Sequence, residues 1–336
     1  MKKVLIVTHS NEHYCYDLVA NALQEEGGEA VRIDTDRYPT EIQLTTDYQN
    51  GGLHNYLETP EGRLDLADLT AAWYRRSRIG QKIPGDIDPQ LRLPSVEESK
   101  RSFMGVLHSL DCFILDPYFH VRQASSKQLQ LKIAEQLGIR IPKTMITNNP
   151  EEVRRFFRTC PEGIITKMQT SFAVYTEGVE NVVFTNIIEE SMLDELEGLE
   201  LCPMTFQEAI PKEVELRVTI VGDQVYSASI DSQSSERAKV DWRKDGHAMI
   251  DMWKEHPLPK ALEQQLLQLM DAFQLNYGAI DLILHPDGTY YFLEINPAGE
   301  FMWLEHAPGF PISRQLAKVL LGKAWRRNEV GNKKSA

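Results

Sequence analysis

Three side chains near the C-terminal end, Asp281, Glu294 and Asn296, have the types and spacing of a metal site. Glu294 and Asn296 are two residues apart, so on a β-strand they point to one face while their apolar neighbours point to the core. The turn sequence at 286–288 places Asp281 on the adjacent strand, where it reaches the same face. Two carboxylates and an amide oxygen are hard ligands suited to Mg²⁺. A solvated hairpin edge is the alternative, since carboxylates are common on strand surfaces.

Two lysines earlier in the chain stand where an ammonium group is unfavourable without an anion. Lys167 lies inside an apolar strand candidate at 163–168, so it needs an anionic partner or solvent. Lys127 begins a predicted helix, where a cation opposes the helix dipole. A polyphosphate group explains both positions.

The segment from Glu208 to Glu215 has the features of a site for a nucleotide base. Pro211 interrupts the preceding strand and leaves backbone groups of Ala209 and Ile210 free. An extended break of this kind can hydrogen-bond a flat base, and Glu215 can accept hydrogen bonds from a ribose. The acids, the lysines and this break together predict a site for a magnesium nucleoside triphosphate.

The first unit that positions these residues, residues 1–115, is predicted to be a small α/β domain. A buried strand at Val4–Val7, a helix at Tyr14–Glu26 and a strand at 30–35 follow one another. This β-α-β order favours a parallel sheet. A further helix is expected at 95–110, with Pro94 at its N-terminus.

The remaining chain is predicted to form two more units and a tail. Residues 116–205 indicate a central domain with helices at 126–137 and 150–159, strands at 163–168 and 181–185, and an amphipathic helix at 189–199. Residues 206–325 indicate a mainly antiparallel domain with hairpin turns at 222–223 and 286–288 and helices at 260–273 and 312–321. Residues 326–336 indicate a frayed polar tail. The fold class expected is mixed α/β (α+β).

The composition is that of a folded protein and excludes several classes. The chain has 336 residues, 42% of them hydrophobic, and a formal net charge of −13, which repels phosphate backbones and anionic lipid. Nucleic-acid and membrane-surface binding are therefore not expected. Its 4 cysteines form no CxxC pair, so neither a zinc site nor a disulfide scaffold is indicated. Because no apolar run is long enough for a membrane span or a signal peptide, we expect a cytoplasmic protein.

The order of the candidate residues resembles the ATP-grasp ligase superfamily. The resemblance implies ATP and Mg²⁺ as cofactors, with an N-terminal pre-ATP-grasp domain, a central lid domain and a C-terminal domain that carries the metal. It also implies a role for each matching residue. Lysines hold the phosphates, a hinge and an acid hold adenosine, and oxygen ligands hold the metal, in the order Lys127, Lys167, Glu208, Ala209, Ile210, Glu215, Asp281, Glu294, Asn296.

A narrower resemblance is to the microviridin-type (graspetide) peptide macrocyclases. It rests on the segments Trp73–Arg76, Lys127–Leu131, Cys202–Glu208 and Asn296–Phe301, which are specific together and weak singly. The resemblance implies activation of Asp or Glu side chains in a ribosomally made precursor peptide with a helical leader. Attack by an amine or a hydroxyl then closes a lactam or a lactone. The chain resembles the lactam-forming member slightly more, although no residue decides between amide and ester.

Two arginines are expected to act in catalysis within this resemblance. Arg217 and Arg243 offer forked donors that match an acyl phosphate and can stabilise a tetrahedral intermediate. The segments around both also resemble the ribosomal-protein glutamate ligases. One departure from the family is the loop Gln169–Phe172, which lacks the glycines that cover phosphates in many of its members.

Two surfaces are expected to hold the peptide. The basic end of a strand, with Arg75, Arg76 and Arg78, is expected to bind the acidic acceptor peptide, and a solvated basic edge is the alternative. The predicted helix at 189–199 has an acidic rim with Asp194 and Glu195, which suits an apolar leader helix that carries an arginine. A surface helix that only packs on the core is the alternative there.

Two other functions stay open at this point. The first is an ATP-dependent carboxylate–amine ligase of the ribosomal-protein glutamate ligase type. The second is a nucleotide-binding regulator without catalysis, which is disfavoured because a sensor does not need the complete set of metal ligands, lysines and Arg217. The resemblance also allows a homodimer, for which the sequence indicates no surface.

Overall fold

The computed structural model describes residues 1–49, 52–169, 173–176, 179–182, 185–235, 238–246 and 248–327, and it describes side chains outside 170–184. The last three residues of the loop Gln169–Phe172 and two residues of the strand predicted at 181–185 lie outside these ranges. In the described ranges no helix combines the length and the apolar character needed to cross a bilayer.

The N-terminal unit is built on a parallel sheet of four strands in the order β2-β1-β6-β7. Val4–Val7 in the first strand are fully buried, as expected for a strand covered on both faces. The predicted β-α-β opening is confirmed, and a separate antiparallel sheet β3-β4-β5 is added. The elements are β1 (Lys2–Thr8), α1 (Tyr14–Glu25), β2 (Gly28–Asp34), β3 (Gln43–Gln49), β4 (Gly52–Thr59), β5 (Gly62–Asp65), β6 (Leu69–Tyr74), α2 (Pro89–His108) and β7 (Phe113–Leu115).

The start of α2 was predicted wrongly. The helix begins at Pro89 and contains Pro94 in its second turn. The side chain of Asp88 caps the helix by accepting a hydrogen bond from the Gln90 N–H (2.9 Å). Pro94 removes the donor that the Gln90 carbonyl would use, but Gln90 is exposed, so water can satisfy this carbonyl.

The central unit contains an antiparallel sheet in the order β12-β9-β13-β8 and a hairpin β10-β11. The predicted boundary at 205 falls inside β13, which pairs with the central sheet up to Glu208. The elements are α3 (Tyr118–Ala124), α4 (Lys127–Gln136), β8 (Thr144–Thr147), α5 (Pro150–Phe157), β9 (Ile164–Lys167), β10 (Ala173–Thr176), β11 (Val179–Val182), β12 (Asn186–Ile188) and β13 (Met204–Glu208).

The amphipathic helix predicted at 189–199 is not formed. The segment instead makes two short 3₁₀ turns, Glu190–Asp194 and Leu199–Leu201. Gly198 between them has a φ of 86°, which an α-helix does not accommodate. Three leucines of the segment still pack on the small core around Val153, so the apolar spacing was satisfied without a continuous helix: Leu193, Leu196 and Leu199.

The C-terminal unit is a five-stranded antiparallel sheet in the order β16-β15-β14-β17-β18. One face of this sheet packs against α3, α4 and the helix Lys260–Phe273. The other face shares a core with α1 and the parallel sheet of the N-terminal unit. The predicted mixed α/β class is confirmed. The elements are β14 (Val214–Val221), β15 (Gln224–Ile230), β16 (Lys254–Glu255), α6 (Lys260–Phe273), β17 (Tyr277–Leu284), β18 (Tyr290–Asn296), α7 (Met302–His306) and α8 (Ile312–Leu320).

The tail predicted to begin at residue 326 is still packed against the fold at residue 327. Arg327 is buried, and its Nε lies 2.6 Å from Oδ1 of Asp271. Its N–H donates to the side chain of Asn276 (2.6 Å). Residues 328–336 lie outside the described ranges.

Asp116 ties the end of the first unit to the C-terminal sheet. Its buried carboxylate accepts hydrogen bonds from the backbone N–H and the side chain of Asn276 and from the N–H of Tyr277, each at 2.9 Å. Burial raises the pKa of Asp116 to about 6, against the pull of these donors. We expect Asp116→Asn to lower the free energy of unfolding by about 1–3 kcal/mol, because an amide turns one acceptor into a donor.

Chemical unfolding followed by tryptophan fluorescence checks this expectation. Asp111→Asn serves as the control because Asp111 is an exposed aspartate shortly before β7, whereas the buried Asp116 directly follows this strand. Equal unfolding free energies for the two variants would show that the Asp116 contacts do not stabilise the fold.

Candidate active site

The candidate acids and one candidate arginine lie on three neighbouring strands. Arg217 of β14 is opposite Asp281 of β17, and Asp281 is opposite Glu294 of β18. Opposed residues share a face of the sheet, so the three side chains form one row. Nη1 of Arg217 lies 2.8 Å from Oδ1 of Asp281. This row is the centre of the candidate site.

A bulge in β18 brings the acids together. Leu282 pairs with Phe292, whereas Asp281 pairs with Glu294, so Leu293 is the extra residue. Without the extra residue the hairpin register would place the apolar Leu293 opposite Asp281 and turn Glu294 to the other face. The prediction that Asp281 and Glu294 share a face is confirmed, but it depends on this irregularity.

The two predicted lysines approach the same acids. Nζ of Lys127, at the start of α4, lies 2.7 Å from Oε2 of Glu294. Nζ of Lys167 donates to the buried side-chain oxygen of Gln207 (3.0 Å), and the charges that act on it most strongly are those of Glu294 and Lys127. Burial lowers the pKa of Lys167, while Glu294 acts in the opposite direction.

The pKa values of the acids reflect these neighbours. Burial acts to raise the pKa of Glu294, but Lys127 and Lys167 outweigh it and hold this pKa below its usual value. For Asp281 burial prevails and raises the pKa, although Arg217 acts against it. Glu294 is therefore an ionised carboxylate at neutral pH.

The residues present fit a magnesium–triphosphate group. Asp281 and Glu294 are 30% and 28% exposed, so their outer oxygens are open on one side. Asn296, two residues further along β18, lies opposite Ala279, and its Oδ1 accepts a hydrogen bond from the Ala298 N–H (3.1 Å). The donors are all oxygens, and two lysines stand beside them for the phosphates.

The second predicted arginine is held by its own neighbour. Asp241 accepts from Nε and Nη2 of Arg243 at 2.8 and 2.5 Å, and its side chain also caps the 3₁₀ helix Trp242–Asp245. These hydrogen bonds raise the pKa of Arg243, and Asp281 and Glu294 add to the effect. Arg243 is therefore a fixed cation whose charge interacts with the acids of the row.

The predicted base site lies between β13 of the central sheet and β14 of the C-terminal sheet. The Ala209 N–H donates to the Gly163 carbonyl (3.0 Å), so the expectation that this group is free was wrong. Ile210 belongs to the link between β13 and β14 and pairs with neither sheet. Its peptide groups are therefore available at the hinge.

The two acids that flank this hinge are each paired with a lysine. Glu208 accepts from the Lys143 N–H (3.3 Å). Glu215 receives a hydrogen bond from Nζ of Lys212 (3.0 Å), and burial raises its pKa despite that contact. Both acids are partly exposed.

The three arginines predicted to bind peptide differ in their surroundings. Arg75 is 2% exposed, and its guanidinium donates to the Ala298 carbonyl and to Glu300. It is therefore not open to a peptide, contrary to expectation. Arg76 is 40% exposed and also binds Glu300, while Arg78 is exposed.

The acidic pair Asp194 and Glu195 is exposed on and just after a 3₁₀ turn rather than on a helix. Among the described contacts none joins this pair to the row around Glu294. Sequence reasoning missed Glu300 as the partner of Arg75, because the two residues are 225 positions apart. It also missed Gln207, although this residue is in the motif quoted around Glu208.

Gly299 lies against Arg217 and leaves no room for a side chain. A Cβ atom at this position would be 2.5 Å from the Ala279 Cβ and 2.7 Å from Nη2 of Arg217. We expect Gly299→Ala to lower the free energy of unfolding by about 1–3 kcal/mol through overpacking. Thermal and urea unfolding test this, with Gly85→Ala as the control because nothing lies near its Cβ position. A Gly299 variant as stable as that control would contradict the packing argument.

Comparison with protein families agrees with this geometry. Residues 3–122 match the MvdD pre-ATP grasp domain, and residues 124–320 match the RimK-like ATP-grasp domain. The chain belongs to the RimK-like ATP-grasp family, as its motifs predicted. The two matches meet near residue 123, after the boundary predicted at 115, and the domain limits stay predictions.

Three solved structures show which members of the family are similar. The RiPP-associated ATP-grasp ligase of Chryseobacterium gregarium, in complex with ADP and a leader and core peptide, is 44% identical, with 98% of this chain and 99% of that chain covered and a TM-score of 0.93. Macrocyclase MdnC of Microcystis aeruginosa MRC, bound with precursor peptide MdnA, is 45% identical, with 95% and 99% covered and a TM-score of 0.86. Macrocyclase MdnB of the same organism is 34% identical, with 95% and 98% covered and a TM-score of 0.80. A comparison with curated proteins found no match.

Proposed function

We propose that this protein is an ATP-dependent peptide macrocyclase that links Asp or Glu side chains of a ribosomally made precursor peptide to amine or hydroxyl groups. The observation that carries the proposal is the row Arg217–Asp281–Glu294 with Lys127 at its end. The same chain is similar from end to end to the macrocyclases MdnC and MdnB.

A carboxylate at neutral pH is a poor electrophile, so it must be activated before an amine or hydroxyl attacks it. Phosphoryl transfer from ATP gives an acyl phosphate and ADP, and attack then releases phosphate. Mg²⁺, when bound, would neutralise the charge that develops on the transferring phosphoryl group. Asp281, Glu294 and Asn296 would hold the metal, and Lys127 and Lys167 would bind the phosphates.

Adenosine would lie at the link between β13 of the central sheet and β14 of the C-terminal sheet. Ile210 offers free peptide groups to the base, with Ala209 and Glu208 beside it. Glu215 would accept from the ribose. The 20% exposure of the Glu208 side chain leaves it open to a nucleotide.

Arg217 and Arg243 would stabilise the charge that develops on the acyl phosphate. Each guanidinium is held by an aspartate, Asp281 for Arg217 and Asp241 for Arg243. Orientation before the reaction lowers the cost of reorganisation during it. These two arginines are the catalytic residues of the proposal.

The peptide would be held by two charged surfaces. Arg78 is exposed and the Arg76 side chain is 40% exposed, and the charge of both suits an acidic core peptide. Asp194 and Glu195 suit a helical leader that carries an arginine. The proposal includes a cytoplasmic location, where ATP and new ribosomal products are both present, and it allows a homodimer.

Mass spectrometry of a precursor incubated with enzyme, ATP and Mg²⁺ tests the function. The probes are MdnA and an Asp/Glu-rich peptide encoded in a short reading frame beside the gene. Each ring should lower the peptide mass by about 18 Da, whereas glutamate addition would raise it. Mild base opens lactones and leaves lactams intact. A mass gain would support the glutamate-ligase alternative, and no ATP turnover with either peptide would support a regulator.

Reversal of one charge tests whether the surface with Asp194 and Glu195 binds the leader. We expect Glu195→Lys to weaken precursor binding about three- to tenfold, because it replaces attraction to a leader arginine by repulsion. ATP affinity should not change. Isothermal titration with precursor and with ATP measures both, and Glu29→Lys, at an exposed position of β2, is the control. Equal precursor affinity for the two variants would place the leader elsewhere.

A further inference from the structure

The segment Ala298–Glu300, called here the bridging segment, follows the metal-ligand candidate Asn296 and is held by each of its three carbonyl groups. The first accepts a hydrogen bond from Arg75, the second from the Tyr277 hydroxyl (2.7 Å) and the third from Nη2 of Arg217 (3.0 Å). Three different parts of the chain thus supply the donors. The backbone of the segment is fixed along its whole length.

Arg75 connects the bridging segment to the N-terminal domain. It comes directly after β6, and its Nη2 lies 2.6 Å from Oε2 of Glu300. Arg76 binds the other oxygen of the same carboxylate at 2.7 Å. A buried charge pair is weak evidence for stability, and its best-attested role is to select one arrangement over others.

Arg217 contacts the bridging segment at Glu300, the end of the segment that follows Gly299. Its guanidinium donates to Asp281 through Nη1 and to the third carbonyl of the bridging segment through Nη2. It also lies over the ring of Trp303, 5.4 Å from the centroid. Three contacts therefore set its orientation, and one of them is a carbonyl in the segment that Arg75 holds.

A metal site at the same place is a competing interpretation. Glu12, Cys15 and Glu300 have ligand atoms close enough for one cation. However, burial raises the pKa of the Cys15 thiol to about 12, and this thiol donates to Glu300 (2.9 Å). Two arginines already neutralise Glu300, so the cluster serves an ion pair rather than a metal.

We propose that Arg75 is a positioning residue that orients Arg217 through the bridging segment, so that Arg75 contributes to the catalytic step without touching the substrate itself. The inference rests on the proposed function, because it takes Arg217 as the group that acts on the acyl phosphate. A misplacement of about 1 Å can lower a rate on the order of 10²-fold. Loss of Arg75 should therefore lower turnover without weakening ATP binding.

The test compares Arg75→Met with Arg314→Met in the full-length enzyme. Arg314 also joins the N-terminal and C-terminal domains, since its Nε lies 2.9 Å from Oε1 of Glu26. Among the described hydrogen bonds and ion pairs, neither Arg314 nor Glu26 contacts the bridging segment. With a precursor that the wild type converts, Arg75→Met should lower kcat about 10- to 100-fold and leave KM for ATP within about twofold. Arg314→Met should change neither.

A second measurement needs no activity. In protein labelled with ¹⁵N at its 5 tryptophans, the Trp303 indole signal reports on the guanidinium above it. Arg75→Met should move this signal toward its position in Arg217→Ala, and Arg314→Met should leave it unchanged. An unmoved Trp303 signal, or a wild-type kcat, would overturn the inference.

Two further outcomes are separable. If Arg75→Met does not fold, Arg75→Lys keeps the charge but not the two-nitrogen fork, and it should shift kcat and the Trp303 signal in the same direction. A wild-type enzyme that closes no ring on any precursor would refute the proposed function instead. In that case the Trp303 signal alone decides whether Arg75 orients Arg217.

Discussion

Replacement of Arg217 by alanine is expected to lower kcat about 10²–10³-fold while the Kd for ATP stays within about threefold. The guanidinium is held by Asp281 and by the Glu300 carbonyl before any substrate binds. In the proposed mechanism it offers a fixed positive charge where negative charge develops in the reaction. ATP itself is expected to bind through the lysines, the metal ligands and the hinge, none of which the substitution removes.

Single-turnover kinetics and isothermal titration separate these two effects. Arg63→Ala is the matched control, because Arg63 also lies over an aromatic ring, 3.5 Å from the centroid of Tyr56, but outside the site. Arg217→Lys should recover part of the rate, since it keeps the charge and loses the fork. A turnover of Arg217→Ala equal to that of the control would remove this residue from the mechanism.

Replacement of Glu294 by glutamine should have an effect of similar or larger size. A metal contributes several kcal/mol of charge stabilisation in such reactions, so loss of an ionised ligand is expected to lower kcat on the order of 10³-fold. The requirement for Mg²⁺ should also rise. Nζ of Lys127, which lies 2.7 Å from Oε2 of Glu294, would lose its negatively charged partner at the same time.

Titration of activity with Mg²⁺ at saturating ATP measures this effect. Glu255→Gln is the control, because Glu255 is exposed on the edge strand of the same sheet. Because Lys127 and Lys167 hold the pKa of Glu294 below its usual value, the wild-type ligand keeps its charge throughout the neutral range. An unchanged Mg²⁺ requirement in Glu294→Gln would show that the metal is held elsewhere.

Local pattern alone was sufficient for much of the fold and for the choice of the candidate site residues. The helix predicted at 260–273 is α6 without a change in its bounds, and the hairpin turns at 222–223 and 286–288 are confirmed. Apolar periodicity and turn residues act over a few positions, which is why they can be recognised in one sequence. The motifs that carry Lys127, Asp281 and Glu294 indicated the family for the same reason.

Tertiary structure decided which of these residues meet. The extra residue Leu293 brings Glu294 opposite Asp281, and no local pattern predicts a bulge that the neighbouring strand imposes. Segment 189–199 does not form the expected helix, and two short turns are enough to pack its leucines against the core around Val153. The pairing of Arg75 with Glu300 joins residues 225 positions apart, and only the packing of one domain on another creates such a contact. Composition and spacing thus determined the chemistry available, while long-range packing determined its geometry.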